Sequence, residues 1–94
     1  MNDVSAKPVT APVLRDRLLG IIGQILGKAA EAQSIPVDER LSELGMSSIK
    51  MVNLMLAVEV EFDLSIPQNE ITPDNFRSVT SIEALLGRLL APKP

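Results

Sequence analysis

The sequence predicts an all-α protein, a small four-helix bundle of three main helices plus one short helix. Three observations point there. Apolar residues recur at helical spacing in three separate segments. No segment shows the sustained apolar–polar alternation of a half-buried strand. And 94 residues, 46% of them apolar, suit one small core and no more. The whole chain, 1–94, is expected to be a single domain, with 1–10 as a flexible lead and 91–94 as a tail. Phe62 and Phe76 are the only aromatic residues, so the core must be aliphatic.

The first helix is expected from Ala11 to Ala32. Thr10 can cap it, and Pro12 is tolerated in its first turn. Its apolar positions are Leu14, Leu18, Ile21, Ile22, Ile25 and Ala29. Gly20, Gly23 and Gly27 fall on the opposite side. Each interior glycine costs about 1 kcal/mol relative to alanine, so this helix must lean on tertiary packing. A glycine stripe lets another backbone approach closely, but a smooth solvent face is the preferred reading. Ser34 to Gly45 is then a connection, because Pro36 disfavours helix at Ile35. Ile35, Val37, Leu41 and Leu44 can pin it to the core, with Leu41 to Leu44 as a short helical turn. A connection this long inside a small domain is uncommon and often functional.

Gly45 breaks the chain, and Ser47–Ser48 begins the second helix. A serine suits that place because its oxygen accepts a bond from a free backbone N–H. Met51, Leu54, Met55, Val58 and Phe62 form the core face. Ile49, Val52, Leu56 and Val60 form a second apolar stripe on roughly the opposite side. A helix with two apolar sides is either covered on both or presents one to partners, and both alternatives stand here. Asp63–Leu64 ends this helix. Thr72 to Phe76 is expected as the short helix, with Thr72 as cap and Pro73 first. Ser78 caps the last one, whose apolar positions are Val79, Ile82, Leu85, Leu86 and Leu89.

The composition excludes several chemistries. There is no Cys and no His. That removes zinc sites built on those ligands, nucleophile–His triads and imidazole acid–base catalysis. No carboxylate pair sits in a catalytic context, so the chain is expected to be no enzyme and to hold no metal. Charge is distributed unevenly. Lys7, Arg15, Arg17 and Lys28 against Asp3 and Asp16 give residues 1–30 a charge of +2. Nine acids against Arg40 and Lys50 give residues 31–76 a charge of −7. Arg77, Arg88 and Lys93 against Glu83 return the remainder to +2. An acidic field centred on the serines argues against nucleic acid and for protein partners with basic patches. The polar first ten residues lack a signal-peptide core, and the apolar run Leu18–Leu26 is too short to span a bilayer. A cytoplasmic monomer with no membrane contact is the expectation.

The run Leu44-Gly45-Met46-Ser47-Ser48-Ile49, followed by Val52, Leu54, Glu59, Phe62 and Ile66-Pro67, resembles the acyl and peptidyl carrier proteins. Their signature is Leu-Gly-x-Asp-Ser-Leu, a helix ending in Glu-x-x-Phe, and then an Ile-Pro. The resemblance covers residues 12–90 in element order and residues 41–67 closely. It implies that Ser48 takes a covalent 4′-phosphopantetheine from coenzyme A, installed by a phosphopantetheinyl transferase. It also implies an acyl- or amino-acid-activating ligase that loads the arm and a downstream acyl-using enzyme that unloads it. Ser47, Ile49, Lys50, Val52, Asn53, Leu56, Glu59 and Val60 are the implied partner surface. Two departures stand out. The family's Asp before the serine is Ser47 here, which keeps the capping role without a carboxylate. Lys50, Asn53 and Val60 stand where acids are common in fatty-acid carriers, which points to a dedicated partner. The alternative is an unmodified helical interaction module that keeps the same fold.

Overall fold

The computed structural model describes residues 11–91, which form three α-helices, α1 (Ala11–Leu26), α2 (Ser48–Phe62) and α3 (Val79–Leu90). Short 3-10 segments at Ala29–Ser34, Leu41–Leu44 and Gln68–Glu70 punctuate the connections, and there is no strand among the described residues. The all-helical bundle expected from the spacing is therefore the fold observed. The expected cap at Thr10 lies outside the described residues.

Aliphatic side chains from all three helices make the core. Leu18 and Ile22 of α1, Leu54 and Val58 of α2, and Val79, Ile82, Leu85 and Leu86 of α3 are fully buried. Burying each such side chain contributes about 1.5–3 kcal/mol. The connections add Ile35, Leu41, Met46, Ile66 and Phe76 to the same cluster. Val37 and Leu44 pack against it half-buried, so the long connection is pinned as its apolar residues predict. On α1, Leu19 is buried although its position was not among the expected core, and Ile21 and Ile25 are half-buried; Ala29, beyond the end of α1, is exposed.

Three helical segments close in one way. Among the described residues, those with positive φ are Gly27 (74°), Gly45 (98°) and Asp63 (51°), and each follows the last residue of a helical segment. After α1, Gly27 N–H donates to Gln24 O and Lys28 N–H to Gly23 O. After Leu44, Gly45 N–H donates to Ser42 O and Met46 N–H to Leu41 O. After α2, Asp63 N–H donates to Val60 O and Leu64 N–H to Glu59 O. Each pair of bonds satisfies carbonyls that the helix end would otherwise leave free.

The first of these closures shortens the expected first helix. It ends at Leu26, not Ala32, because the chain reverses at Gly27 and returns as the 3-10 segment Ala29–Ser34. The glycine stripe is then more than a solvent face. Gly23 is buried, and a Cβ there would lie 2.9 Å from Ala32 Cβ and 3.2 Å from Lys28 O. The returning segment rests on the bare backbone of Gly23.

Side chains tie the helices together. Arg15 of α1 grips Glu83 of α3 through two bonds, at 3.1 and 2.6 Å. Arg17 of α1 bonds the Glu61 carboxylate and main-chain carbonyl of α2, each at 2.7 Å, with its guanidinium 4.7 Å from the Phe62 ring centre. The expected short helix at Thr72–Phe76 is a single hydrogen-bonded turn. Thr72 caps it as expected, its Oγ1 accepting from Asn75 N–H at 3.2 Å and its carbonyl from Phe76 N–H at 3.3 Å.

Candidate functional site

Ser48 stands at the start of α2 because four consecutive features place it there. Leu41 is buried, and its N–H donates to Arg77 O at 2.9 Å, which fixes the preceding segment against the lead into α3. Gly45 turns the chain in the left-handed region that glycine adopts without strain. Met46 is buried and anchors the turn to the core. Ser47 then takes the N-cap, its Oγ accepting Lys50 N–H at 3.3 Å while its carbonyl accepts Met51 N–H at 2.9 Å.

Capping by Ser47 frees Ser48. Ser48 is the first helical residue and is exposed, and its hydroxyl makes no hydrogen bond to another described residue. The cap uses the N–H of Lys50, so the N–H groups of Ser48 and Ile49 remain at the positive end of the helix dipole. An exposed, uncommitted hydroxyl beside free N–H groups fits the attachment of a phosphate ester. The side chains at this point therefore fit a phosphopantetheine group joined through phosphate, which Ser48 would hold.

The approach to α2 is held from the opposite side by α3. Thr80 N–H and Oγ1 both donate to Val37 O, at 3.0 and 3.1 Å, and Oγ1 is also 2.8 Å from Asp38 Oδ1. Ser78 Oγ accepts Ser81 N–H at 3.2 Å, as expected of the cap of α3.

The two faces of α2 separate cleanly. Leu54, Val58 and Phe62 are buried, with Met51 and Met55 half-buried beside them. On the other side Ile49 is 73% exposed, Val52 52%, Leu56 57% and Val60 82%. The long connection does not cover this stripe, which stands exposed. Ser47 and Asn53 are exposed and Lys50 is half-buried. Glu59 is half-buried as well, and its Oε2 accepts Ile66 N–H at 2.8 Å. Sequence reasoning missed this inward duty. Its signal was the spacing itself, since Glu59, Phe62 and Ile66 form one unit: the carboxylate holds the loop while Phe62 and Ile66 are buried.

Two open clefts adjoin α2. One, of about 450 Å³, runs between Ile21 and Ile25 of α1 and Leu56 and Val60 of α2. The other, of about 400 Å³, opens beside Met46 and Met51, the residues on either side of the serine pair. Among the described residues, no helix is long and apolar enough to cross a membrane.

Comparison with known proteins agrees with this geometry. Residues 16–89 match the family described as phosphopantetheine attachment site. Aminoacyl carrier protein 1 of Bradyrhizobium diazoefficiens is 43% identical over 79 residues, covering 84% of this chain and 88% of that protein. Aminoacyl carrier protein 2 of the same organism is 44% identical over 77 residues, 82% of this chain and 86% of that protein. The fold also matches a chain in the crystal structure of a Bradyrhizobium japonicum glycine:[carrier protein] ligase complexed with glycylated carrier protein. That match has a TM-score of 0.63 at 44% identity and covers 77% of this chain and 97% of the other. A second such complex, with cognate carrier protein and an analogue of glycyl adenylate, matches with a TM-score of 0.66 at 43% identity, covering 80% and 97%. With its helical bundle, its exposed serine at the start of α2 and these relatives, the chain belongs to the phosphopantetheine-dependent carrier protein family.

Proposed function

We propose that this protein carries an amino acid as a thioester on a 4′-phosphopantetheine arm attached to Ser48. The observation that carries the proposal is the division of labour at the serine pair. Ser47 spends its hydroxyl on the helix cap, and Ser48 leaves its own exposed and unbonded. Modification joins Ser48 Oγ to the phosphorus of the arm, with loss of the serine proton and departure of the adenosine bisphosphate portion of coenzyme A. When bound, the group supplies a thiol, which this cysteine-free chain lacks, to hold cargo as a thioester.

The chain's own part is to fix and present. Ser47 orients the first turn of α2, and the Gly45 turn and Met46 hold Ser48 at the surface. Partners are read by Ile49, Val52, Leu56 and Val60, flanked by Ser47, Lys50 and Asn53, with Glu59 at the margin. This surface suits a dedicated amino-acid-activating ligase with an apolar docking site, and then a downstream acyl-using enzyme. The names of the relatives and of the solved complexes support an aminoacyl cargo over a fatty or polyketide chain. The protein is a non-catalytic, cytoplasmic carrier, a substrate for its partners, and it works as a monomer.

Intact mass tests the proposal. Incubation with coenzyme A and a phosphopantetheinyl transferase should add one phosphopantetheine. The adduct should survive in Ser47→Ala and vanish in Ser48→Ala; the reverse pattern moves the site by one residue. No adduct with any transferase, the source organism's own included, would favour an unmodified interaction module.

A further inference from the structure

The sulfur atoms of this chain are gathered around Ser48. Of its four methionines, Met46, Met51 and Met55 fall within residues 46–55, and there is no cysteine to react ahead of them. Met46 precedes the serine pair, and Met51 follows Ser48 by one helical turn. Their surroundings differ. Met46 is only 6% exposed, whereas Met51 and Met55 are half-buried. Met46 and Met51 line one open cleft of about 400 Å³, while Met55 lines neither cleft beside α2. Holding one water takes only about 10–15 Å³ of such space, so the cleft is wide enough for a small hydroperoxide. Met46 also has a structural duty. Its N–H donates to Leu41 O at 3.0 Å, its side chain belongs to the core cluster, and it stands between the Gly45 turn and the Ser47 cap. An apolar thioether suits that place, whereas a sulfoxide is polar. The polar residues Arg40, Ser42 and Arg77, which line the cleft with it, are all exposed. An oxygen on the Met46 sulfur would meet such donors only if the side chain left the core. Kept inside, it would be a buried polar group without a partner.

We propose that Met46 and Met51 form a modification site for hydroperoxides, at which oxidation of Met46 withdraws the anchor of the turn that holds Ser48. In each conversion a sulfur lone pair attacks the nearer peroxide oxygen. The S–O bond forms as the O–O bond breaks. The proton of the attacked oxygen passes to the leaving oxygen, which departs as water or an alcohol. Sulfur is oxidised by two electrons and the peroxide is reduced by two. Met51, the more exposed, takes oxygen first and at little structural cost. Met46 follows through the same cleft, and its sulfoxide loosens the segment from Leu41 to Ser47. The carrier is then switched off at its attachment point, with Ser48 itself untouched. This functional consequence rests on attachment at Ser48.

The test treats the full chain, without its arm, with hydrogen peroxide over a time course and locates the added oxygen by peptide mass. Met51 should gain oxygen before Met46, and Met46 should gain it faster than the protein unfolds. Once Met46 is oxidised, the folded-to-unfolded ratio in urea should fall about fivefold to thirtyfold. The amide chemical shifts of Gly45 to Ile49 should move, and uptake of phosphopantetheine should slow. Met46→Leu, a substitution that cores tolerate well, should keep its stability, shifts and uptake after the same treatment. Met51→Leu should respond as the wild type does. Oxygen gain at Met46 no faster than unfolding, or an equal loss of stability in Met46→Leu, would overturn the proposal. Unoxidised protein that takes no phosphopantetheine would instead count against attachment at Ser48, and the stability and shift readouts would still decide the role of Met46.

Discussion

Glu59 reaches from the last turn of α2 to the Ile66 N–H, at 2.8 Å, and so joins that helix to the loop that follows it. The bond is half-buried and its acceptor is a carboxylate. Glu59→Ala should therefore cost about 1.5–2 kcal/mol, the lower part of the range for charged hydrogen bonds. Glu59→Gln, which keeps an acceptor oxygen, should cost less. Urea midpoints measure both, and an unchanged midpoint in the alanine variant would show that the bond contributes nothing net.

Two glycines of α1 should respond with opposite sign. Gly23→Ala places a methyl group 2.9 Å from Ala32 Cβ and 3.2 Å from a main-chain oxygen, which forces the 3-10 segment away. Overpacking of this kind costs about 1–3 kcal/mol. Nothing lies within 4 Å of a Cβ at Gly20, a helix-interior position. Gly20→Ala should stabilise by about 0.5–1 kcal/mol through helix propensity. Thermal melts of the two variants decide it.

The two faces of α2 should separate folding from docking. Leu54→Ala removes a fully buried side chain and should cost about 2–5 kcal/mol. Val60→Asp changes a residue that is 82% exposed and should alter stability by no more than about 0.5 kcal/mol. The aspartate variant should still accept phosphopantetheine yet bind the proposed amino-acid-activating ligase more weakly. Equal ligase affinity for Val60→Asp and wild type would remove this end of the stripe from the interface.

The Arg15–Glu83 pair should be insensitive to pH on the alkaline side. Glu83, first by its hydrogen bond and then by its charge, holds the Arg15 guanidinium above its ordinary value. A cation with a raised folded value contributes fully below its unfolded value and loses that contribution only as pH rises through the folded one. Between about pH 6 and pH 10 Arg15 stays charged, so its contribution should be constant there. Arg15→Lys loses the two-pronged grip and should lower the melting temperature, by less in high salt. A pH-dependent difference from wild type within that window would mean that another group controls the contact.

Much of this architecture was legible in the sequence because its core is aliphatic and periodic. The two stripes of α2 and the inward set Val79, Ile82, Leu85 and Leu86 of α3 follow directly from helical spacing. The end of α1 did not. Apolar spacing continues to Ala29, while the chain turns at Gly27, where glycine adopts a left-handed conformation. The sequence contained that glycine, but local spacing could not show that Ala32 returns to rest on Gly23. The turn at Thr72–Phe76 was placed correctly and over-extended into a helix, since one capped turn and a short helix share their opening residues. Ser48 was legible through its motif as the candidate site, and it stands exposed at the start of α2. Glu59 was legible as a motif residue, but its bond to Ile66 depends on tertiary closure of the following loop. Arg40 lines one cleft with Asp74 and Arg77, which lie too far along the chain from it for a local pattern to show.

The uncovered stripe of α2 also has a colloidal consequence. Ile49, Val52, Leu56 and Val60 present hydrocarbon to water. Two copies meeting face to face could hide it from water. What opposes that encounter is like charge, since residues 31–76 carry −7. Such repulsion acts over roughly a Debye length, about 8 Å at physiological ionic strength, and shrinks as salt is added. The acidity of this stretch thus acts as a dispersant, opposing face-to-face contact between two such stripes.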